Sequence, residues 1–176
     1  MIKEANMDSK FSPKSIIDDF KKVYKSEKKV LIYIPTLISL ILTSIVNIDM
    51  SLINVLIASL AIFLGFLLNL MMMSFNLKDD TIPPTEVGGR LWRLKDILGE
   101  YHITISFEIL ITIILVILML FASLVHKNMY IIFPNIIWAL KLFYNFVLVY
   151  LLIVFIIILF RVLNFGYILL KYFLKN

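Results

Sequence analysis

The stretch 103–125, "ITISFEILITIILVILMLFASLV", decides the fold. It carries a single charge, Glu108, in 23 residues. At about 1.5 Å per residue a helix of that length reaches about 35 Å, enough to cross a hydrocarbon layer of about 30 Å. Strands of a membrane barrel alternate apolar and polar residues over about ten positions, and this stretch does not alternate. Comparable runs occupy about 30–47, 51–75 and 138–160. The chain is 61% hydrophobic with a mean hydropathy of +0.98, whereas soluble domains hold about 45–50% apolar residues. These features give an all-α polytopic membrane protein. A basic tail and amphipathic helix (1–29) precede a four-helix membrane domain (30–176).

Charge sets the orientation. Of the 17 basic residues, eight lysines lie in 1–29 and four (Lys78, Arg90, Arg93, Lys95) in the loop 77–102. Three more (Arg161, Lys171, Lys175) lie in 161–176, leaving only Lys127 and Lys141 elsewhere. Four spans place those three segments on one side, as the positive-inside rule requires, so both termini are expected to be cytoplasmic. Basic residues that flank spans point to anionic lipid as partner rather than nucleic acid. The Ile-, Leu-, Lys- and Asn-rich usage suggests a bacterial chain, hence the inner membrane. "MIKEANMDSK" lacks the short apolar core of a signal peptide. Without cysteine, the chain has no disulfide or thiol chemistry.

The polar segments have their own signals. Ser12-Pro13 reads as a helix start, a hydroxyl cap followed by proline at the first helical position. Ile16, Ile17, Phe20, Val23 and Tyr24 then share one face of an amphipathic helix over about 13–28, suited to the inner membrane surface. "NIDMS" (47–51) is a tight connection, so spans 1 and 2 are expected to form a helical hairpin. In the loop, "DDTIPPTEVGG" breaks structure, and the two glycines of "VGGR" (87–90) read as a hinge rather than an anion site. "RLWRLKDILGEYH" is expected to be a second surface helix, with Leu91, Leu94, Leu98 and Tyr101 at helical spacing. Arg90, Trp92 and Arg93 are candidate contacts to headgroups or to a soluble partner. Residues 135–176 would reach about 63 Å as one helix, twice the bilayer core. They are therefore read as span 4 plus a helical extension, 161–176, with Arg161, Asn164, Lys171 and Lys175 on one face. A break near Pro134 with a fifth span is the alternative.

Within the spans, polar and small residues form stripes. Asn54, Ala58, Ala61, Gly65 and Asn69 step along one face of span 2 and are expected to pack against another helix. Span 1 has Thr36, Ser39, Thr43 and Asn47; span 3 has Thr104, Glu108 and Thr112; span 4 has Lys141 and Asn145. Such faces are packing seams or, in the sharper reading, the lining of a wet path. Glu108 enters from the inner side, so its expected partner is Arg161 at the inner end of span 4, while Lys141 snorkels at the outer surface. No metalloprotease, serine hydrolase or P-loop motif occurs, and His102 and His126 sit at opposite ends of span 3. The expectation is a non-enzyme without metal or cofactor.

"IASLAIFLGFLLNLMMMSFNL" in span 2 and "EYHITISFEILITIILVIL" leading through span 3 resemble small four-span membrane effectors of bacterial anti-phage (abortive infection) systems. The resemblance implies homo-oligomers that disrupt or depolarise the membrane when infection is sensed. Two other readings stand beside it: a scaffold that holds a soluble partner through loop 77–102, and a small transporter with Glu108 as proton site. The nearly wholly apolar centres of spans 3 and 4 argue against a constitutive channel and against the transporter, which leaves the scaffold and a conditionally opened effector. Topology is directly testable. Reporter fusions at Lys29 and Asn176 should report the same, cytoplasmic, side, and opposite sides would reject four spans.

Overall fold

The computed structural model describes residues 12–45, 48–75, 85–87, 90–126 and 134–175. Five helices carry the fold: α1 (Pro13–Val23), α2 (Lys28–Ile45), α3 (Met50–Phe75), α4 (Leu94–His126) and α5 (Pro134–Lys175). α2 to α5 are each long and apolar enough to cross a membrane. The protein is thus an all-α, four-span membrane protein, and an even number of spans puts its two ends on one side. α5 is a single helix of 42 residues, span and extension in one, so the described residues contain no fifth span.

Local chemistry sets the helix ends. Ser12 accepts from the Ser15 backbone N–H at 3.3 Å, and Pro13 occupies the first turn of α1. A short 3₁₀ turn, Lys25–Glu27, then redirects the chain into α2. Asp49 caps α3, its carboxylate accepting from the Leu52 N–H at 2.8 Å, which satisfies one of the unpaired donors at a helix start.

α4 and α5 form the centre. They run antiparallel, with the Tyr144 hydroxyl donating to the Leu118 carbonyl at 2.9 Å. α3 packs along α4, and α2 packs along α5. The expected hairpin of spans 1 and 2 is not a packed pair: α2 and α3 are joined by a short connection but make no extended contact. α1 also departs from expectation. Its apolar face is turned onto α4 instead of outward, burying Phe20, whose ring stacks on Phe107 at 3.8 Å. Ring contact and burial of that size outweigh a headgroup interface that offers the same face only partial removal from water.

The segment before α4 gives a third correction. Arg90–Trp92 is a strand, β2, paired antiparallel with β1 (Thr85–Val87), and the helix begins only at Leu94. Val87 pairs with Arg90; a glycine pair in the sequence between two strands is a hairpin signal, while Gly88 and Gly89, read above as a hinge, lie outside the described residues. β1 lies against α5. From Leu94 the helix continues into the span without a break, so the expected surface helix is the first turns of α4, where Leu94, Ile97 and Tyr101 are buried.

The seam is made of large apolar residues. Leu115, Met119, Leu148 and Ile158 are fully buried, whereas Ile62 on α3 is 75% exposed on the outer surface of the chain. Large-to-small changes in a packed core typically cost about 2–5 kcal/mol. Leu115→Ala should therefore lower the thermal midpoint in detergent clearly, while Ile62→Ala leaves it nearly unchanged, as followed by a thermal shift assay.

Candidate functional site

Three elements meet near the end of the bundle that carries the chain termini. The Tyr24 hydroxyl lies 2.8 Å from the Thr104 hydroxyl on α4. Thr104 itself donates to the Glu100 carbonyl at 2.7 Å, so its one proton is used and Tyr24 is the donor between them. The Arg161 guanidinium, from α5, sits 4.4 Å from the centre of the Tyr24 ring. It also forms an ion pair with Glu27. Burial pushes the Tyr24 phenol above its ordinary value, with the Thr104 hydrogen bond and the Arg161 charge opposing. Tyr24 therefore stays a neutral donor at neutral pH. A raised acid pKa stabilises the docked state below the free phenol's value of about 10, and that stability is lost as pH rises through the higher folded value.

Glu108 lies one helical turn deeper on α4. It is 0% exposed, and neither carboxyl oxygen has a hydrogen-bond partner among the described residues. Thr104 and Thr112, one turn to either side, are equally buried. Thr112 donates to the Glu108 backbone carbonyl at 2.8 Å. The expected polar stripe is therefore present and faces the interior.

The expected Glu108–Arg161 pair does not form. Register explains why. From the Leu118–Tyr144 contact, moving back along α4 to Glu108 corresponds to moving forward along α5 to about Val154, because the helices are antiparallel. Arg161 lies seven residues further, about 10 Å toward the termini. Its long side chain extends to the wetter side and meets Glu27, which is half exposed. Glu27 was not among the candidates, although it is the single acid between Asp19 and Asp49, a signal for the partner of a nearby cation.

The span 2 stripe, read as a helix–helix contact, lies on the outside of the single chain. Asn54, Ala58, Ala61, Gly65 and Asn69 are all exposed on the outer surface. A β-carbon placed on Gly65 meets nothing within 4 Å. α3 instead buries Ile53, Leu60, Leu67 and Ser74 against the bundle, at a seven-residue spacing. A seven-residue repeat keeps one seam facing a neighbouring helix. Within one chain the stripe packs against no described helix.

The remaining candidates fall as follows. Lys141 is exposed on α5. On α2, Ser39 is buried and donates to the Pro35 carbonyl, Thr36 donates to the Ile32 carbonyl, and the Thr43 hydroxyl has no partner among the described residues; Asn47 lies outside them. His102 meets Ser74 at 3.4 Å and the Phe75 ring. Arg93 is exposed beside Asp96, and only the backbones of Arg90 and Trp92 are described, in β2. Among the described residues, no three His, Cys, Asp or Glu side chains converge as a metal would require. Compared with protein-family models, curated proteins and solved structures, the chain matches none.

The cluster of Tyr24, Thr104, Arg161 and Glu27 fastens α1 to the bundle. Tyr24→Phe removes one hydrogen bond, about 1 kcal/mol. Arg161→Ala removes both the ion pair and the cation–ring contact. Amide exchange across 13–27 should quicken modestly in the first variant and strongly in the second, with α4 and α5 protection unchanged.

Proposed function

We propose that this chain is a non-catalytic effector of a bacterial inner membrane, one that self-associates and breaches or depolarises that membrane in anti-phage defence, with both termini cytoplasmic. One observation carries the reading: the small and amide residues of α3 face outward. In hydrocarbon, large apolar side chains are indifferent to lipid, but an exposed amide loses its hydrogen bonds. Asn54 and Asn69 stand about 22 Å apart along the helix, with Ala58, Ala61 and Gly65 between them at mid-depth. Small residues let a second backbone approach closely. Asparagine is both donor and acceptor, so the same residue on another copy is its complement. In a two-fold contact about the membrane normal, each amide near the axis meets its own copy. A second copy is therefore the occupant that satisfies the whole face.

The interior supports the same reading. Leu115, Met119, Leu148 and Ile158 fill the centre of α4 and α5, large apolar residues that interrupt the buried polar ones, Thr104, Glu108, Thr112 and Asn145, among the described residues. A leak then has to form between copies or after rearrangement. The resemblance of the α3 and α4 stretches to defence effectors supports the setting. The scaffold reading keeps one observation in its favour, the β1–β2 hairpin beside the exposed Arg93, a surface on which a soluble sensor would dock.

Controlled expression with a membrane-potential dye tests the activity: depolarisation is expected, and an unchanged potential in cells that hold the protein in the membrane contradicts it. Gly65→Leu tests the contact. Because nothing among the described residues meets a β-carbon there, the variant should keep the thermal behaviour of the parent yet shift to smaller assemblies in detergent. An unchanged assembly size would assign this face to lipid.

A further inference from the structure

The carboxyl of Glu108 is sealed inside a membrane span with no partner for either oxygen among the described residues. The groups packed around it narrow what it could bind. On its own face of α4, Ile105, Ile111 and Leu115 are buried, and the hydroxyls of Thr104 and Thr112 donate to backbone carbonyls. α3 offers no titratable side chain anywhere between Met50 and Phe75. On α5 Arg161 lies about 10 Å toward the termini and is engaged by Glu27 and Tyr24, and Tyr150 is a half-buried phenol. α1 presents Phe20 and Tyr24. α2 packs on α5 rather than on α4. On α4 itself, Glu100 and Tyr101 lie about two turns toward the termini, and His102 is turned to Ser74 and Phe75. A hard metal cation takes about six or more oxygen ligands, which these surroundings do not supply. A proton requires one oxygen.

We propose that Glu108 is a proton-binding site within the membrane domain, reached from the side of the termini through the hydroxyls of Tyr24 and Thr104. The inference is independent of the effector reading and of self-association. Residues four apart on a helix stand one above the other, and side chains lean toward the helix N-terminus. The Glu108 carboxyl thus leans toward Thr104. In the arrangement described, Thr104 points its proton at the Glu100 carbonyl, which keeps the last link open. Rotation of that hydroxyl onto a Glu108 oxygen closes it. Thr104 then gives its proton to the carboxylate and takes one from Tyr24; because Tyr24 is buried, the route requires a water to enter beside the partly exposed Arg161 and restore the phenol's proton. One proton moves from water to Glu108 and no other bond changes. On the far side Thr112 is engaged with the Glu108 carbonyl, and the fully buried Leu115, Met119 and Leu148 follow, with the buried amide of Asn145 at the same depth on α5; the proposed route therefore enters from the side of the termini, where hydroxyls adjoin the carboxyl.

Infrared difference spectroscopy on the full chain in lipid nanodiscs tests this, because a protonated carboxyl absorbs apart from a carboxylate. At neutral pH the parent protein should show a protonated-carboxyl band that shifts on transfer to heavy water and is absent in Glu108→Gln. Glu108→Asp, which keeps the acid, should move the band, so a poorly folding Gln variant does not leave the assignment open. Tyr24→Phe should slow the heavy-water shift about tenfold, the equivalent of one lost hydrogen bond. Absence of the band, or a band that neither Glu108 variant changes, overturns the site. An equal or faster shift in Tyr24→Phe overturns the route, since α1 would then be a cover and not a path.

Discussion

A membrane span has no water with which to satisfy a polar group, and the structure follows from that constraint. Most hydroxyls in the spans turn back to a carbonyl of their own helix, as Thr36, Ser44, Ser59, Ser74, Thr104 and Thr112 do. Groups that cannot do so must find partners elsewhere. Tyr24 is drawn onto Thr104, and Arg161 is held at the rim by Glu27 and the Tyr24 ring. Those contacts, with the Phe20–Phe107 stack, fasten an amphipathic helix to the bundle that would otherwise lie on the membrane.

The same constraint separates what was legible in the sequence from what was not. Span positions were legible, because run length and charge clustering report directly on transfer into hydrocarbon. So was the start of α1, where Ser12-Pro13 acts locally. The packed face of α3 was not. In water the buried face of a helix is its apolar face, but α3 is apolar nearly all round, and lipid accepts Leu or Ile as readily as a neighbouring helix does. Its seam, Ile53–Leu60–Leu67–Ser74, differs from its lipid side in spacing and not in polarity. The small residues then pointed to a contact that no described helix of the same chain supplies.

The candidate site was legible in part. Glu108, Thr104 and Thr112 share a buried face, as their spacing implies. The error lay in depth. Sequence counts distance from the nearest polar flank, whereas the partner of a charge depends on the register between helices, here two turns out of step with a Glu108–Arg161 pair. The β1–β2 hairpin was missed for a different reason. The two glycines between "TEV" and "RLW" are a hairpin signal, but three-residue strands are too short for alternation to show.

The central claim is that α3 turns its large apolar seam inward and presents its small and amide face to a second copy. The chain has no cysteine, so single cysteines can be placed at will. Oxidative cross-linking in native membranes tests the claim most directly. Cysteines at Ala58, Ala61 and Gly65 should yield covalent dimers, and cysteines at Leu60 and Leu67 should not. Dimers at Leu60 and Leu67 in preference to Ala58, Ala61 and Gly65, or no dimers at any position, would contradict it.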